Sequence, residues 1–260
     1  MFPKLISYGD YFLPTYGVLV ALAFLAGLSL TGRLARKAGY NAETVTNLAI
    51  YCALSGLAGA KLLMFAFDWR YYWQKPSEMF SFATLQAAGV YQGGLVLAVV
   101  FAWFYLRRHK LPFFGVADAF APGVALGHAI GRLGCFAAGC CWGSRCDRPW
   151  AVTFTNPEAA KLVGVPLGVP LHPSQLYESF AEFLLSYFLY RQFLKKHGQG
   201  EIIGLYLILY SLIRFLVEFV RNHEQALPFG LPFSITQWIA AGTMLVGAWW
   251  YRRAVRIFQS

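Results

Sequence analysis

Charged residues are scarce in this sequence. Asp, Glu, Lys and Arg make up 13% of its 260 residues, and hydrophobic residues make up 58%, whereas a soluble globular domain has about a quarter charged residues. Segments of strand length with alternating apolar and polar residues are also lacking, which argues against a membrane barrel. Because helices and closed barrels are the structures that satisfy the backbone in lipid, the composition predicts a helical membrane protein.

Other common features are missing as well. The sequence shows no internal repeat and no low-complexity linker, and we expect no cleavable signal peptide, because the first 13 residues carry a single lysine. The paired C-x2-C spacing of zinc sites is absent. Four cysteines are spaced C-x4-C-C-x4-C instead: Cys135, Cys140, Cys141 and Cys146. We expect them to pack or to form a disulfide such as Cys140–Cys146, and we expect no metal; a nucleophilic cysteine is a third alternative.

Long hydrophobic runs dominate what is present. Seven segments are each about long enough to cross a hydrocarbon core of roughly 30 Å as a helix. The sequence therefore predicts an all-α polytopic membrane protein, a single integral membrane domain over 1–260 with seven transmembrane helices. An outer (periplasmic) loop region, 137–173, is expected between spans 4 and 5, with a candidate short strand in "WAVTFTN". The predicted spans are Pro14–Gly32, Thr46–Phe67, Ala87–Leu106, Phe114–Phe136, Ser174–Leu194, Ile202–Val220 and Ser234–Tyr251.

The net charge is +10, and the basic residues responsible for it are distributed unevenly between the two sides of the predicted spans. If the spans alternate in direction, twelve basic residues lie after spans 1, 3, 5 and 7, and seven lie on the other side. The positive-inside bias then predicts an N-terminus outside and a C-terminus in the cytoplasm. Because the basic residues act as topology signals, we expect no nucleic acid partner. The twelve are Arg33, Arg36, Lys37, Arg107, Arg108, Lys110, Arg191, Lys195, Lys196, Arg252, Arg253 and Arg256.

Several ionisable residues lie inside the predicted spans, where they are costly and usually functional. Arg132 lies near the end of span 4, and span 6 presents Tyr210, Arg214, Glu218 and Arg221 on one helical face. One interpretation is a structural Arg214–Glu218 ion pair. The other is that the arginines exceed the nearby carboxylates and bind a phosphate, which guanidinium groups hold through two parallel hydrogen bonds.

Two polar motifs open other spans. "VYQGGL" begins span 3, where Gly93 and Gly94 permit close approach of either another helix or a ligand. "LHPSQLYES" begins span 5 and concentrates polar groups at an interface: His172, Gln175, Tyr177 and Glu178.

Six ordered motifs together resemble bacterial prolipoprotein diacylglyceryl transferase over essentially the whole chain. They are "TYG", "QGGL", "ADAFAPGVALGHAIGRLGCF", "HPSQLYES", "YSLIRFLVEFVR" and "SITQWIAAGTMLVG". The resemblance implies a multi-pass enzyme of the bacterial inner membrane that needs no cofactor. It would move the diacylglyceryl group of phosphatidylglycerol onto the lipobox cysteine in the signal peptide of a preprolipoprotein, releasing glycerol 1-phosphate.

The resemblance also implies roles for individual residues. Arg214, Tyr16 and Gln92 take the positions of catalytic residues, and Arg132 takes that of the phosphatidylglycerol-binding arginine. Further substrate-binding residues are expected at Gly93, Gly94, Gly143, His172, Gln175, Tyr177, Tyr210, Glu218 and Arg221.

Two departures from the family pattern leave alternatives open. Gln92 replaces the histidine of H-G-G-L, and Cys135 replaces the asparagine of G-R-x-G-N-F. A glutamine cannot accept a proton, so His128 or His172 would have to be the base, unless the arginine field alone favours the thiolate, as we expect. The chain is then a divergent transferase, a paralogue with another acceptor, or, in a different class, a transporter or binder of anionic lipid.

Overall fold

The computed structural model describes residues 2–8, 11–81, 84, 89–222 and 232–259. These residues are mostly helical, and seven of their α-helices have 18 to 26 residues. The helices are α1 Thr15–Lys37, α2 Ala42–Phe67, α3 Trp69–Gln74, α4 Tyr91–Arg108, α5 Phe113–Ala138, α6 Pro157–Val163, α7 Ser174–Phe193, α8 Glu201–Glu218 and α9 Ile235–Gln259. A 3-10 helix spans Pro76–Phe80.

Each of the seven long helices coincides with one predicted span. By length and composition, three of them, α1, α2 and α5, are apolar enough to cross a membrane. The helix ends differ from the predicted ends. Helix α9 continues past Tyr251 to Gln259, because arginines are good helix formers although they end an apolar run. Helix α4 begins at Tyr91, and the predicted start of its span at Ala87 lies outside the described residues.

Short strands flank the helices. Strand β1, Lys4–Tyr8, pairs antiparallel with β2, Tyr11–Pro14. The sequence did not predict this pair of strands, because neither of them alternates apolar and polar residues. Strand β3, Val152–Thr153, pairs with β4, Pro170–Leu171, which confirms the strand predicted in "WAVTFTN". Between α5 and α7 the chain also builds a small core of its own, formed by Phe154, Ala159, Val165 and Leu171.

The chain divides into two compact units, Met1–Leu34 with Ala117–Ser260 and, separately, Ala35–Val116. In the smaller unit, α2 and α4 pack closely at Gly59 and Gly93. A Cβ added to Gly93 would lie 2.4 Å from the carbonyl oxygen of Gly59, so neither helix tolerates a side chain at this contact. Gly94 makes the same kind of contact with Gly56. Helix packing therefore accounts for both glycines of "QGGL".

In the larger unit, α5 packs against α1 and α7. A Cβ on Gly123 of α5 would lie 2.7 Å from the carbonyl oxygen of Gly27 of α1. On the side facing α7, the Ser179 hydroxyl donates to the Ala129 carbonyl and the Ser186 hydroxyl to the Pro122 carbonyl, each at 2.8 Å. Because α5 contacts both neighbours along its length, its C-terminal end, with Arg132, has a fixed position relative to α7.

Asp118 joins α5 to the start of α8. Its buried carboxylate accepts hydrogen bonds from the backbone N–H groups of Gly200, at 2.7 Å, and Ile203, at 2.8 Å. The first N–H groups of a helix have no partner within the helix. The side chain of Asp118 therefore caps α8 from another helix.

Replacement of Asp118 by alanine is expected to destabilise the fold by about 2 kcal/mol, because two N–H groups at a buried helix start lose a charged acceptor. The measurement is the thermal unfolding midpoint of the detergent-solubilised protein. Thr243→Ala is the control: its hydroxyl bonds only the carbonyl of Ile239, one turn earlier on an exposed face, so its loss should leave the midpoint nearly unchanged. An unchanged midpoint in Asp118→Ala would show that the cap contributes little.

Candidate active site

Arg132 forms a buried ion pair with helix α7. Its Nη2 donates to Oε1 of Glu178 at 2.8 Å, and Glu178 is 1% exposed. The same carboxylate oxygen lies 3.5 Å from Nε2 of His128, and Nδ1 of His128 lies 3.7 Å from Oε1 of Glu182. His128 and Arg132 are one turn apart on α5, as are Glu178 and Glu182 on α7. Two pairs of charged or polar side chains therefore face each other across the α5–α7 contact.

Helix α8 adds a second arginine. Arg214 forms an ion pair with Glu218 one turn later, and Oε1 of Glu218 also accepts a hydrogen bond from the Ser234 hydroxyl at 2.9 Å. The ring of Tyr210 lies 5.5 Å from the ring of His128. Tyr210 interacts electrostatically with both Arg132 and Arg214. The two arginines therefore lie around one tyrosine.

The carboxylates of this site balance the arginines, which the sequence did not lead us to expect. Arg132 pairs with an acid from α7, and Arg214 with an acid of its own helix. Sequence reasoning left Glu182 out and treated Glu178 only as an interfacial polar group. Their spacing of four residues in "YESFAE" was the available signal, because it places both carboxylates on one face.

The guanidinium of Arg132 has a hydrogen-bond donor that its ion pair with Glu178 does not use. Among the described residues, Nε of Arg132 is buried without a hydrogen-bond partner, as are both carboxylate oxygens of Glu182. Buried polar atoms are nearly always hydrogen-bonded. The site therefore has unused hydrogen-bonding capacity, both at a guanidinium nitrogen and at a carboxylate.

Three cysteines surround the end of α5. Gly139, with φ of 80°, ends the helix, and the N–H of Cys140 bonds back to the carbonyl of Cys135 at 3.1 Å, as in a Schellman cap. The sulfurs of Cys135, Cys140 and Cys141 lie within 4.8 Å of one another. Hydrogen bonds from Cys135 and Cys140 lower the pKa of the Cys141 thiol, and the charges of Arg132 and Arg221 add to this.

The predicted Cys140–Cys146 disulfide is not formed. All five cysteines are free, and Cys146 is buried. Its backbone N–H donates to the Pro170 carbonyl at 3.0 Å, and its sulfur is not part of the three-sulfur cluster. The Schellman cap explains the difference, because it turns Cys140 back towards Cys135 rather than onward along the chain.

Tyr16 approaches the cysteine cluster from α1. A Cβ on Gly134 would lie 3.3 Å from the Tyr16 ring. Tyr16 is 45% exposed and interacts electrostatically with Arg132 and the three cysteines. The structure thus brings two of the predicted site residues, Tyr16 and Arg132, together.

The other predicted residues near this site hold its backbone in place. The N–H of Gly143 donates to the His172 carbonyl at 3.0 Å, and a β-bridge joins Gly143 to Arg221. His172 Nδ1 lies 3.2 Å from the Tyr177 hydroxyl, and the Gln175 amide donates to the Cys140 carbonyl at 2.6 Å. These five residues connect the segment after α5 to α7 and to the end of α8.

Gln92, Gly93 and Gly94 belong to the smaller unit. Gln92 is exposed in the first turn of α4, and the two glycines contact α2 as described above.

Comparison with known proteins places this chain in a family. The sequence pattern of prolipoprotein diacylglyceryl transferase matches residues 3–253. The chain belongs to that family. A relative named phosphatidylglycerol–prolipoprotein diacylglyceryl transferase, from Clostridium tetani, is 32% identical over 89% of this chain and 89% of its own length. Relatives of the same name from Vibrio campbellii and Vibrio vulnificus are 33% and 34% identical over 97% and 96% of this chain and 92% of their own lengths. The family resemblance seen in the motifs is confirmed.

Proposed function

We propose that this protein is a membrane enzyme that transfers the diacylglyceryl group of phosphatidylglycerol to the lipobox cysteine of preprolipoproteins. The observation that carries the proposal is the pair of partly buried arginines, Arg132 and Arg214, which both interact electrostatically with Tyr210, in a chain of this family. Each arginine has one carboxylate partner, and Nε of Arg132 is a further donor that this ion pair does not use, which a phosphate could occupy.

The reaction requires stabilisation of a leaving phosphate. The acceptor sulfur attacks the glyceryl carbon, the bond between that carbon and the phosphate oxygen breaks, and negative charge grows on the oxygen. Guanidinium groups held in a low-dielectric site stabilise such charge more than they would in water. Glu178 keeps Arg132 in position before the lipid binds, and the phosphate then takes hydrogen bonds from Arg132 and Arg214 in its place.

The remaining residues have subordinate roles in this proposal. Tyr16 contacts the reacting groups, and Tyr210, Glu218 and Arg221 line the lipid headgroup site. For Gln92, a catalytic role is what the family resemblance implies. Gly143, His172, Gln175 and Tyr177 shape the same site through the backbone contacts described above. For Gly93 and Gly94, the contact with α2 is a sufficient reason for their presence.

The deciding experiment is an assay of the purified protein with phosphatidylglycerol, with and without a lipobox peptide. Glycerol phosphate release that depends on the peptide, with a diacylglyceryl thioether on its cysteine, supports the proposal. Release of glycerol phosphate without modification of the peptide would identify a transferase with another acceptor. Lipid binding without release would identify an anionic-lipid transporter or binder.

We further propose that the chain is a single domain with seven spans in the inner membrane of a bacterium, with 137–173 on the periplasmic side. The asymmetry of twelve basic residues against seven supports this orientation.

A reporter joined after Gln259 is therefore expected to lie in the cytoplasm. A fluorescent protein fused there should be bright, and alkaline phosphatase should be inactive, because the phosphatase needs an oxidising compartment. A matched pair of insertions at Gly164, on the predicted outer side, should give the opposite result. Active phosphatase at Gln259 would reverse the topology.

A further inference from the structure

The three-cysteine cluster is a built feature with no role in the mechanism above. Cys135 lies in the last turn of α5, and the Schellman cap at Gly139 returns Cys140 to it. Cys141 has a φ of 60°, in the left-handed region that non-glycine residues seldom adopt and that is found most often at functional sites. That backbone turn directs its sulfur to the same point as the other two.

Residues at the start of α7 hold the backbone of Cys140 and Cys141 in place. The Ser174 hydroxyl donates to the carbonyl of Cys141 at 2.8 Å, and the Gln175 amide donates to the carbonyl of Cys140. Both of these α7 residues are 1% exposed. Hydrogen bonds from buried donors therefore fix the backbone of Cys140 and Cys141, and with it the positions of their sulfurs.

The dimensions of the cluster suit a metal ion. A tetrahedral zinc ion with bonds of about 2.3 Å to sulfur holds its ligands about 3.8 Å apart. The three sulfurs lie within 4.8 Å of one another, so shifts of about 1 Å or less would complete the geometry. Three thiolates select zinc or copper(I) over hard cations, and three protein ligands with an open fourth position are the pattern of a catalytic zinc site.

We propose that Cys135, Cys140 and Cys141 bind a zinc ion and that the acceptor cysteine thiol of the protein substrate occupies its fourth position. The identity of the acceptor rests on the proposed function; the zinc site itself does not. The location of the cluster supports the assignment, because Nη1 of Arg132 lies 3.9 Å from the sulfur of Cys135. A thiol bound at the zinc and a phosphate bound at Arg132 would therefore be neighbours.

The zinc ion would supply what Gln92 cannot. A thiol that coordinates zinc is deprotonated, so its proton leaves to water when it binds. The sulfur then forms a bond to the glyceryl carbon, the carbon–oxygen bond to the phosphate breaks, and its electron pair stays on the phosphate oxygen. The products are a thioether, which leaves the zinc, and glycerol phosphate. No general base is needed in this sequence of steps.

Charge supports the same arrangement. Zinc with three thiolates carries a net charge of −1, and a fourth thiolate makes it −2. Arg132 and Arg221 both interact electrostatically with Cys141, so two cations stand next to the site.

The first test is metal content. Protein purified in detergent without chelators is expected to hold about one zinc ion per chain by mass spectrometry. Cys135→Ser, Cys140→Ser and Cys141→Ser should each lose most of it. Cys52→Ser and Cys146→Ser are matched controls that should retain it, because neither sulfur belongs to the cluster. Wild-type protein without zinc, or with a disulfide within the cluster, would overturn the proposal, as would full zinc in all three variants.

The second test detects the fourth ligand in the wild-type protein. Cobalt(II) exchanged for zinc should give the visible absorption of a tetrahedral thiolate site. A lipobox peptide should change this spectrum, and the same peptide with its cysteine replaced by serine should not. Equal spectra with both peptides would overturn the substrate role.

Activity separates this proposal from the proposed function. Transfer from phosphatidylglycerol to the peptide that persists after zinc removal by a chelator would overturn the zinc proposal and leave the transferase intact. A zinc site that meets the first test, in a protein that transfers nothing to the peptide, would overturn the proposed acceptor instead.

Discussion

Replacement of Arg132 or Arg214 by alanine is expected to lower diacylglyceryl transfer by about 100-fold to 1,000-fold, which corresponds to about 3 kcal/mol of lost transition-state stabilisation. The physical reason is that, in the proposed reaction, each guanidinium stabilises the charge that develops on the leaving phosphate. Lysine at either position keeps the charge but cannot form two parallel hydrogen bonds, so Arg132→Lys and Arg214→Lys should fall between wild type and alanine. The measurement is kcat/KM for peptide-dependent release of glycerol phosphate.

A matched control exists on α9. Arg253 stacks on Trp249, with its guanidinium carbon 5.7 Å from the ring, and Arg253→Ala should retain wild-type turnover. The thermal midpoint of each variant shows whether a loss of activity reflects loss of the fold. Wild-type turnover in Arg132→Ala or Arg214→Ala would remove that arginine from the mechanism.

Replacement of Glu178 by glutamine is expected to act in opposite directions on stability and on lipid affinity. The substitution keeps the shape of the side chain and a hydrogen-bond acceptor but removes the negative charge that pairs with Arg132, which costs about 1–3 kcal/mol of stability. Because the phosphodiester no longer has to displace a carboxylate, phosphatidylglycerol should bind about tenfold more tightly, or by about 1.4 kcal/mol. Thermal unfolding with and without the lipid measures both effects.

The control for this variant is an ion pair on the surface. Lys4 and Glu158 lie 2.6 Å apart, and the Glu158 side chain is 48% exposed. Glu158→Gln should therefore change stability by less than about 1 kcal/mol and leave lipid binding as it was. Weaker lipid binding by Glu178→Gln would mean that Glu178 contacts the substrate itself and does not compete with it.

Apolar length was enough to place the seven long helices, because each run of hydrophobic residues exceeds what a short loop would need. It could not place β1 and β2, since strands of four and five residues with tyrosine and serine between the apolar positions carry little periodic signal. Apolar length also failed to place the end of α9, because the helix continues beyond the last residue of the apolar run.

Motif reading found both arginines of the site and gave the Arg214–Glu218 ion pair as one interpretation, which the structure contains, but it did not find the partner of Arg132. Arg132 contacts Glu178 only because α5 and α7 pack together. Residue spacing within either segment cannot predict a contact between two segments that are distant in the chain. The cysteine cluster was missed for a related reason. Its geometry depends on a left-handed cysteine and on side chains of α7, whereas the spacing alone favoured a disulfide.

The segment between α5 and α7, with its small core, is a suitable place to insert a second domain into a protein that is otherwise mostly helical. Phe154, Ala159, Val165 and Leu171 hold this segment together, and Phe136 of α5 packs against them. At its edge, Gly164 and Gly168 have open space around them, and exposed turns of this kind accept inserted domains. If 137–173 lies outside the membrane as proposed, an antibody epitope or a rigid fusion partner placed there would project beyond a detergent micelle and add asymmetric mass to a 29.1 kDa protein for particle alignment in electron microscopy.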